Sequence, residues 1–409
     1  MKIQKLIGFI LSCCLLLSAC GEKEIGFKPV NPNATPEAKQ LLSFLYEIKG
    51  KYTLTGQHNF ASDLQRYDNV VHEMTDLYPV VWGADFSFFA MGENQAKFQH
   101  CGPMNLSSPF GPTVENGLSK ETLRQGIVDE AIKKHAEGRI ITLMWHCCYP
   151  INGDECNGDD IWRLTDRLPS WEEWNELVTD GTELNTLWKI QMDGIAKYLK
   201  QLSDAKVPVL WRPFHEMNGV WFWWCNKPGE DGFKKLYIAM YDYFTNHHKL
   251  NNLIWVWDTN APRNKPGDEA GPYKDFYPGT DYVDILSADV YGAWEQSHHD
   301  DLLALAAGKP ISLGEVGTIP TDSVYQVQPE WAWFMVWGYC IYDFRRAATL
   351  PPPPAEGNGE ATPPPPRRDF SNIPNINPTA KATYENPRSI TLDKIDFSGK
   401  TYKLKKIDK

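Results

Sequence analysis

Eight short apolar segments recur along the chain with longer amphipathic or polar stretches between them: Tyr52 to Gly56, Pro79 to Asp85, Ile140 to His146, Val209 to Glu216, Leu253 to Asn260, Val283 to Tyr291, Pro310 to Glu315 and Trp333 to Trp337. Runs this short and this continuously apolar suit strands buried on both faces, as in a parallel sheet. The intervening pieces read as helices. Glu183 to Leu202 spaces Leu184, Leu187, Ile195, Leu199 and Leu202 at a helical period, and Ser119 to Glu137 opens on Ser-Lys-Glu-Thr, a start suited to an N-cap. Eight strands separated by helices predict an α/β fold, a closed (β/α)8 TIM barrel forming a single catalytic domain. An open doubly wound sheet fits the period as well, but it calls for an early phosphate-binding glycine turn, and the chain has none.

The ends of these segments are chemically loaded. The first four finish on Gln57-His58, Asp85, Trp145-His146 and His215-Glu216, the sixth on Asp289 with Tyr291, and the seventh on Gly314-Glu315. In a barrel these ends share one face, which is where such folds keep their sites. The densest stretch is VLWRPFHEMNGVWFWW, Val209 to Trp224, where Arg212, His215, Glu216 and Asn218 crowd a strand end just ahead of Trp221, Trp223 and Trp224. Aromatic faces suit the C–H faces of pyranose rings, and charged and amide groups suit their hydroxyls. Glu216 and Glu315 stand on the fourth and seventh strands, positions that face one another across the mouth of an eight-stranded barrel. Two facing carboxyls are the apparatus of glycoside hydrolysis. A gap of about 5 Å leads to retention and a wider one to inversion, and sequence does not measure the gap.

Charge and the N-terminus narrow the setting. A net charge of −11, with no basic stripe, excludes a nucleic-acid partner and fits a neutral polymer. Lys2 and Lys5, the apolar run Leu6 to Leu17 and the ending Leu17-Ser18-Ala19-Cys20 read as a bacterial lipoprotein signal over residues 1–19, with Cys20 as the lipidated residue. That expectation places the protein on a bacterial membrane by a lipid anchor, facing the periplasm or the cell surface, with residues 20–35 as a tether and the catalytic domain over 36–409. Of the remaining cysteines, Cys148 and Cys156 are the easiest pair to join in an exported protein, although spacing does not fix connectivity. The spacing of His146, Cys147, Cys148 and Cys156 does not suit a zinc site. The proline-rich piece PPPPAEGNGEATPPPP, Pro351 to Pro366, falls where a last helix would pack, and is read as a solvated insertion at about 350–380.

Several stretches together resemble glycoside hydrolase family 26: WRPFHEMNG (Trp211 to Gly219), TGQH (Thr55 to His58), MWH (Met144 to His146), WVWDTN (Trp255 to Asn260), ADVYG (Ala288 to Gly292) and LGEVG (Leu313 to Gly317). The resemblance runs from about Pro36 to Trp337. It implies a retaining mechanism with Glu216 as general acid/base and Glu315 as nucleophile. It further implies that His146, Arg212, His215, Trp221, Asp289 and Tyr291 line the sugar subsites and orient the carboxylates, with Tyr291 bonded to the nucleophile, and that Trp162 and Trp337 stack on sugars. The substrate it implies is β-1,4-linked mannan, glucomannan or galactomannan, cleaved internally by a monomeric enzyme with neither redox cofactor nor catalytic metal. Mixed-linkage β-glucan and β-1,3-xylan stay open on the same scaffold, as does a noncatalytic glycan-binding lipoprotein.

Overall fold

The computed structural model describes residues 28–61, 63–89, 99–100, 119–154, 156, 161, 168–342 and 377–406. Eight parallel strands follow one another around a ring: β1 (Thr53–His58), β2 (Val81–Asp85), β3 (Ile140–Trp145), β4 (Val209–Pro213), β5 (Leu253–Asn260), β6 (Ile285–Val290), β7 (Ile311–Val316) and β8 (Trp331–Val336). Each pairs with its neighbour, and β8 closes on β1 with Leu54 opposite Trp333 and Gln57 opposite Val336. Closure excludes the open-sheet alternative. Every strand residue of the ring is buried, which explains why the sequence shows runs rather than alternation. Where β1 meets β8, a side chain at Gly56 would come within 2.5 Å of the Phe334 carbonyl oxygen, so the close approach requires glycine.

Helices α1 (Pro36–Ile48), α2 (Arg66–Thr75), α3 (Lys120–Ala136), α4 (Trp171–Val178), α5 (Glu183–Asp204), α6 (Phe233–Asp242), α7 (Gln296–Ala306), α8 (Asp322–Val327) and α9 (Pro378–Tyr384) surround the barrel. The predicted cap is present, Ser119 accepting from the Thr122 amide at 3.2 Å, and Thr182 caps α5 as well. Helix α5 buries Leu184, Trp188, Met192, Ile195, Leu199 and Leu202, one apolar face toward the strands. Helix α1 seals the opposite end of the barrel from the mouth. Its Leu41, Leu45 and Ile48 join one cluster with Ile140, Leu210, Ile254 and Ile285, which lie at the starts of their strands. Burying each such side chain contributes about 1.5–3 kcal/mol.

Three findings refine the sequence reading. Part of the expected tether is docked: the Val30 amide donates to Asp284 at 2.8 Å, Asn31 donates to Asn251, and Tyr241 donates to the Val30 carbonyl. The β5–β6 connection carries only a short 3-10 turn, Tyr273–Asp275, in place of an α-helix. After the proline-rich piece, which lies outside the described residues, α9 and a short strand β9 (Ser389–Ile390) return the chain to the barrel, with β9 adding to β1. Cys148 and Cys156 form a disulfide with their Cα atoms 6.0 Å apart. No helix among the described residues is long and apolar enough to cross a membrane. The signal segment and Cys20 also lie outside the described residues.

Candidate active site

Strand β4 ends at Pro213, and the chain then turns sharply. Phe214 takes φ +52° and Glu216 takes φ +56°, left-handed conformations that cost a residue with a side chain about 1–3 kcal/mol each. Packing and hydrogen bonds hold the turn. The Phe214 ring lies among Trp188, Trp223, Trp224 and Phe233 at 5.9–6.3 Å between centroids. Trp224 donates its indole N–H to the His215 carbonyl at 2.8 Å, and the Glu216 amide donates to the Asp258 carbonyl at 2.9 Å. The tryptophan run in the sequence therefore does two jobs: Trp223 and Trp224 are buried and fix the turn, while Trp221 folds back to the carboxyl. Gly219 makes the fold-back feasible, because a Cβ there would sit 2.4 Å from the Trp221 ring.

Glu216 accepts from the Trp221 indole at 2.7 Å on Oε2 and from the Asn260 amide on Oε1. Arg263 in turn donates to the Asn260 side-chain oxygen and lies 5.1 Å over the Trp221 ring. Burial, and then the charge of Glu315, push the Glu216 pKa up to about 7, against the opposing effect of those two donors. A carboxyl held there is protonated for much of the mildly acidic range.

Glu315 has different company. Arg212 donates to Oε1 at 3.2 Å, the Tyr291 hydroxyl donates to Oε2 at 2.6 Å, and His215 Nε2 stands 3.8 Å from Oε1. The strand itself is adapted here. Between Ala288 and Asp289 the β6–β7 register slips, so that Asp289 lies opposite Glu315 and Gly314 is the extra residue. Burial, with His146 and Arg212 adding to it, pushes the His215 pKa well below the ordinary imidazole range, so His215 is neutral. His146 packs edge-on against His215 at 4.3 Å, and its Nδ1 pairs with Asp85 at 2.5 Å.

The two glutamates and Asp289 each bring a carboxyl oxygen within 4.8 Å of the others. Such a group of oxygens has the donor chemistry for a cation, but Arg212 already supplies the positive charge, 3.2 Å from Glu315 and 3.6 Å from Asp289. A separate surface cluster, Asp193 with His247 and His248, has donor atoms at similar spacing far along α5.

Of the residues singled out by sequence, His146, Arg212, His215, Glu216, Trp221, Asp289, Tyr291 and Glu315 come together at this mouth. Two of them do not line it. Arg212 and Asp289 are fully buried beneath the carboxylates, so their contacts are with Glu315 and not with an open cleft. Burial, and then the charge of Glu315, hold the Asp289 carboxyl well above the usual range despite Arg212. Tyr291 is 43% exposed and presents its ring to the cleft. Trp337 is only 8% exposed and stacks on His58 at 4.1 Å, which makes it wall more than platform. Trp162 lies outside the described residues. Trp171 is 49% exposed beneath the Lys227 ammonium. The sequence reading missed Asn260, Asp258 and Arg263 as partners of the site, and placed Asp85 at its face without its bond to His146. Asn260 and Asp258 carried a usable signal, polar residues at the end of an otherwise apolar strand.

Comparison with known proteins agrees with this arrangement. A family model described as glycosyl hydrolase family 26 matches residues 30–95 and 115–349. A mannan endo-1,4-beta-mannosidase from Thermothelomyces thermophilus is 33% identical over 335 residues, 78% of this chain and 58% of that protein. A mannan endo-1,4-beta-mannosidase A from Piromyces is 30% identical over 76% of this chain and 44% of that protein, so the chain spans about half the length of these curated relatives. Among solved structures, GH26A from a Muricauda species superposes with a TM-score of 0.70 at 39% identity, covering 90% of this chain and all of the other. A β-mannanase from a symbiotic protist of the termite Reticulitermes speratus, solved with a gluco-manno-oligosaccharide, has a TM-score of 0.64 at 26% identity, covering 90% of this chain and 97% of that one. With the family model matching most of the chain and the paired glutamates on β4 and β7 of a closed barrel, the chain belongs to glycosyl hydrolase family 26.

Proposed function

We propose that the protein is an endo-acting β-1,4-mannanase that cleaves mannan, glucomannan or galactomannan with retention of configuration. The observation that carries the mechanism is the approach of the Glu216 and Glu315 oxygens to within 4.8 Å, the short spacing at which a carboxylate reaches the anomeric carbon directly with no water between. The substrate follows the names of the relatives. Glu315 attacks C1 while Glu216 gives its proton to the departing glycosidic oxygen, leaving a glycosyl ester on Glu315. Glu216, now ionised, takes a proton from water, which attacks C1, releases Glu315 and regains the starting configuration. Arg212 and Tyr291 hold Glu315 in line, and the raised pKa of Glu216 keeps the acid loaded.

Residues 1–20 support a second part of the reading: the mature protein is tethered to a bacterial membrane by a lipid on Cys20, facing the periplasm or the cell surface. Replacing Cys20 with Ala should release it from membranes on fractionation, and retention would overturn the anchor. For the activity, the test is product analysis on galactomannan, glucomannan, mixed-linkage glucan and β-1,3-xylan, with Glu315→Ala as the control. Manno-oligosaccharides absent from the control support the reading. Cleavage of glucan or xylan alone overturns the substrate, and binding without cleavage overturns the enzyme.

A further inference from the structure

We infer that Asp258, on β5, is the positioning residue that couples the two glutamates: its backbone holds Glu216 and its side chain holds the guanidinium that holds Glu315. The residue is fully buried and its two halves face opposite partners. Its carbonyl oxygen accepts the Glu216 amide at 2.9 Å, the bond that pins Glu216 in its left-handed conformation. Its carboxylate oxygen Oδ2 pairs with Arg212 Nη1, and the same guanidinium reaches Glu315 through Nη2 at 3.2 Å.

The surroundings are shaped to admit this carboxylate. A Cβ on Gly314, the residue before Glu315, would lie 2.3 and 2.4 Å from the two Asp258 oxygens. Glycine at that position leaves the room, and it is also the residue at which the β6–β7 register slips. One contact thus ties β5 to both β4 and β7.

Charge gives Asp258 a second task. The guanidinium of Arg212 faces carboxyls from three strands, Asp258 on β5, Asp289 on β6 and Glu315 on β7, with neutral His215 beside them and the Tyr291 hydroxyl on the far oxygen of Glu315. Burial, and then the charge of Glu315, raise the Asp289 carboxyl above its usual range, and it stands farther from the guanidinium than the other two. Of the three, Asp258 makes the nearest pair with Arg212, as its standing counter-ion, and it keeps that cation from pairing wholly with Glu315. A nucleophile fully paired with its own guanidinium would be weaker, and a mouth with one negative charge fewer would release the proton of Glu216 more readily. The inference rests on the proposed hydrolytic reading for its kinetic consequences, but not for its electrostatic one.

The test is Asp258→Asn, which preserves shape against Gly314 and removes only the charge, with Asp258→Glu as the conservative control and Asp258→Ser should the amide fail to fold. Carboxyl-labelled glutamate followed by carbon NMR reads the titration of Glu216 directly, whatever the substrate is. In the charge-removing variants Glu216 should titrate at lower pH than in the parent, and Asp258→Glu should restore it. On mannan, kcat should fall roughly 10- to 100-fold with little change in KM, and the basic limb of the pH profile should move to lower pH. An unchanged Glu216 titration in the folded charge-removing variant overturns the inference. A wild-type chain that cleaves no β-mannan but shows the shift retains the inference and overturns the mannanase reading.

Discussion

The ends of β4 and β7 carry the same residue type at the same depth and differ in everything around it. Glu216 sits on a left-handed turn and meets only neutral donors, an indole and an amide. Glu315 sits on an extended strand with a register slip and meets a guanidinium and a phenol. Neutral donors do not offset the loss of water around a carboxylate, so Glu216 retains its proton toward neutral pH. Arg212 and Tyr291 instead fix the two oxygens of Glu315 in place. In the proposed mechanism two identical side chains take opposite roles from their surroundings, the general pattern by which one site performs acid and base chemistry together.

The sharpest way to break this comparison is to delete each carboxyl in turn. Glu315→Ala should cost roughly 10⁴- to 10⁶-fold in kcat, because no group remains to form the glycosyl ester. Added azide should then yield a glycosyl azide of inverted configuration, while azide with Glu216→Ala should yield the retained one. Retained azide from the Glu315 variant would exchange the two roles. Glu216→Ala should cost roughly 10²- to 10⁴-fold on mannan and much less on aryl glycosides, whose leaving groups depart without a proton. Equal losses on both substrate types would remove Glu216 from the acid role.

Smaller effects sharpen the electrostatic half. Activity should fall as pH rises through about 7, where Glu216 loses its proton. Because Trp221 and Asn260 hold that pKa down, Trp221→Phe and Asn260→Ala should each move the basic limb to higher pH, and a shift in the other direction would contradict the assignment. The same carboxyl is linked to stability. Its folded pKa of about 7 lies above the ordinary glutamate value of 4.5, so between those pH values the folded state binds the extra proton and stability falls as pH rises. Glu216→Gln should escape that loss, on the order of 3 kcal/mol. Urea unfolding of both proteins at pH 4.5 and pH 8 measures the difference. Gly314→Ala should cost about 1–3 kcal/mol by pressing on Asp258, read as a lower melting temperature.

Much of this was legible in the chain, and the reasons differ from residue to residue. The eight strands were visible because strands buried on both faces must be apolar throughout, and that leaves a mark no helix of this length imitates. Glu216 and Glu315 stood out because charged groups at the ends of such strands are costly without a use. The helical crossover expected between β5 and β6 failed because a polar stretch of suitable length looks the same whether it coils or only turns. The expected tether failed in part because Val30 and Asn31 are held by single bonds to Asp284 and Asn251, partners more than 200 residues away.

The sequence by itself determined the eight strand segments, the strand ends that carry chemistry and the two carboxyls among them, because each depends on local periodicity and on residue type. Only the tertiary structure decided that Arg212 and Asp289 lie beneath the carboxylates and not along an open cleft, that Trp337 is covered by His58, and that Asp258 and Asn260 bond to residues of the site. Those outcomes depend on which strands become neighbours when the ring closes, and on a one-residue slip at Gly314. The roles of two identical glutamates follow from burial and from the charge of their neighbours, quantities that exist only once the chain has folded.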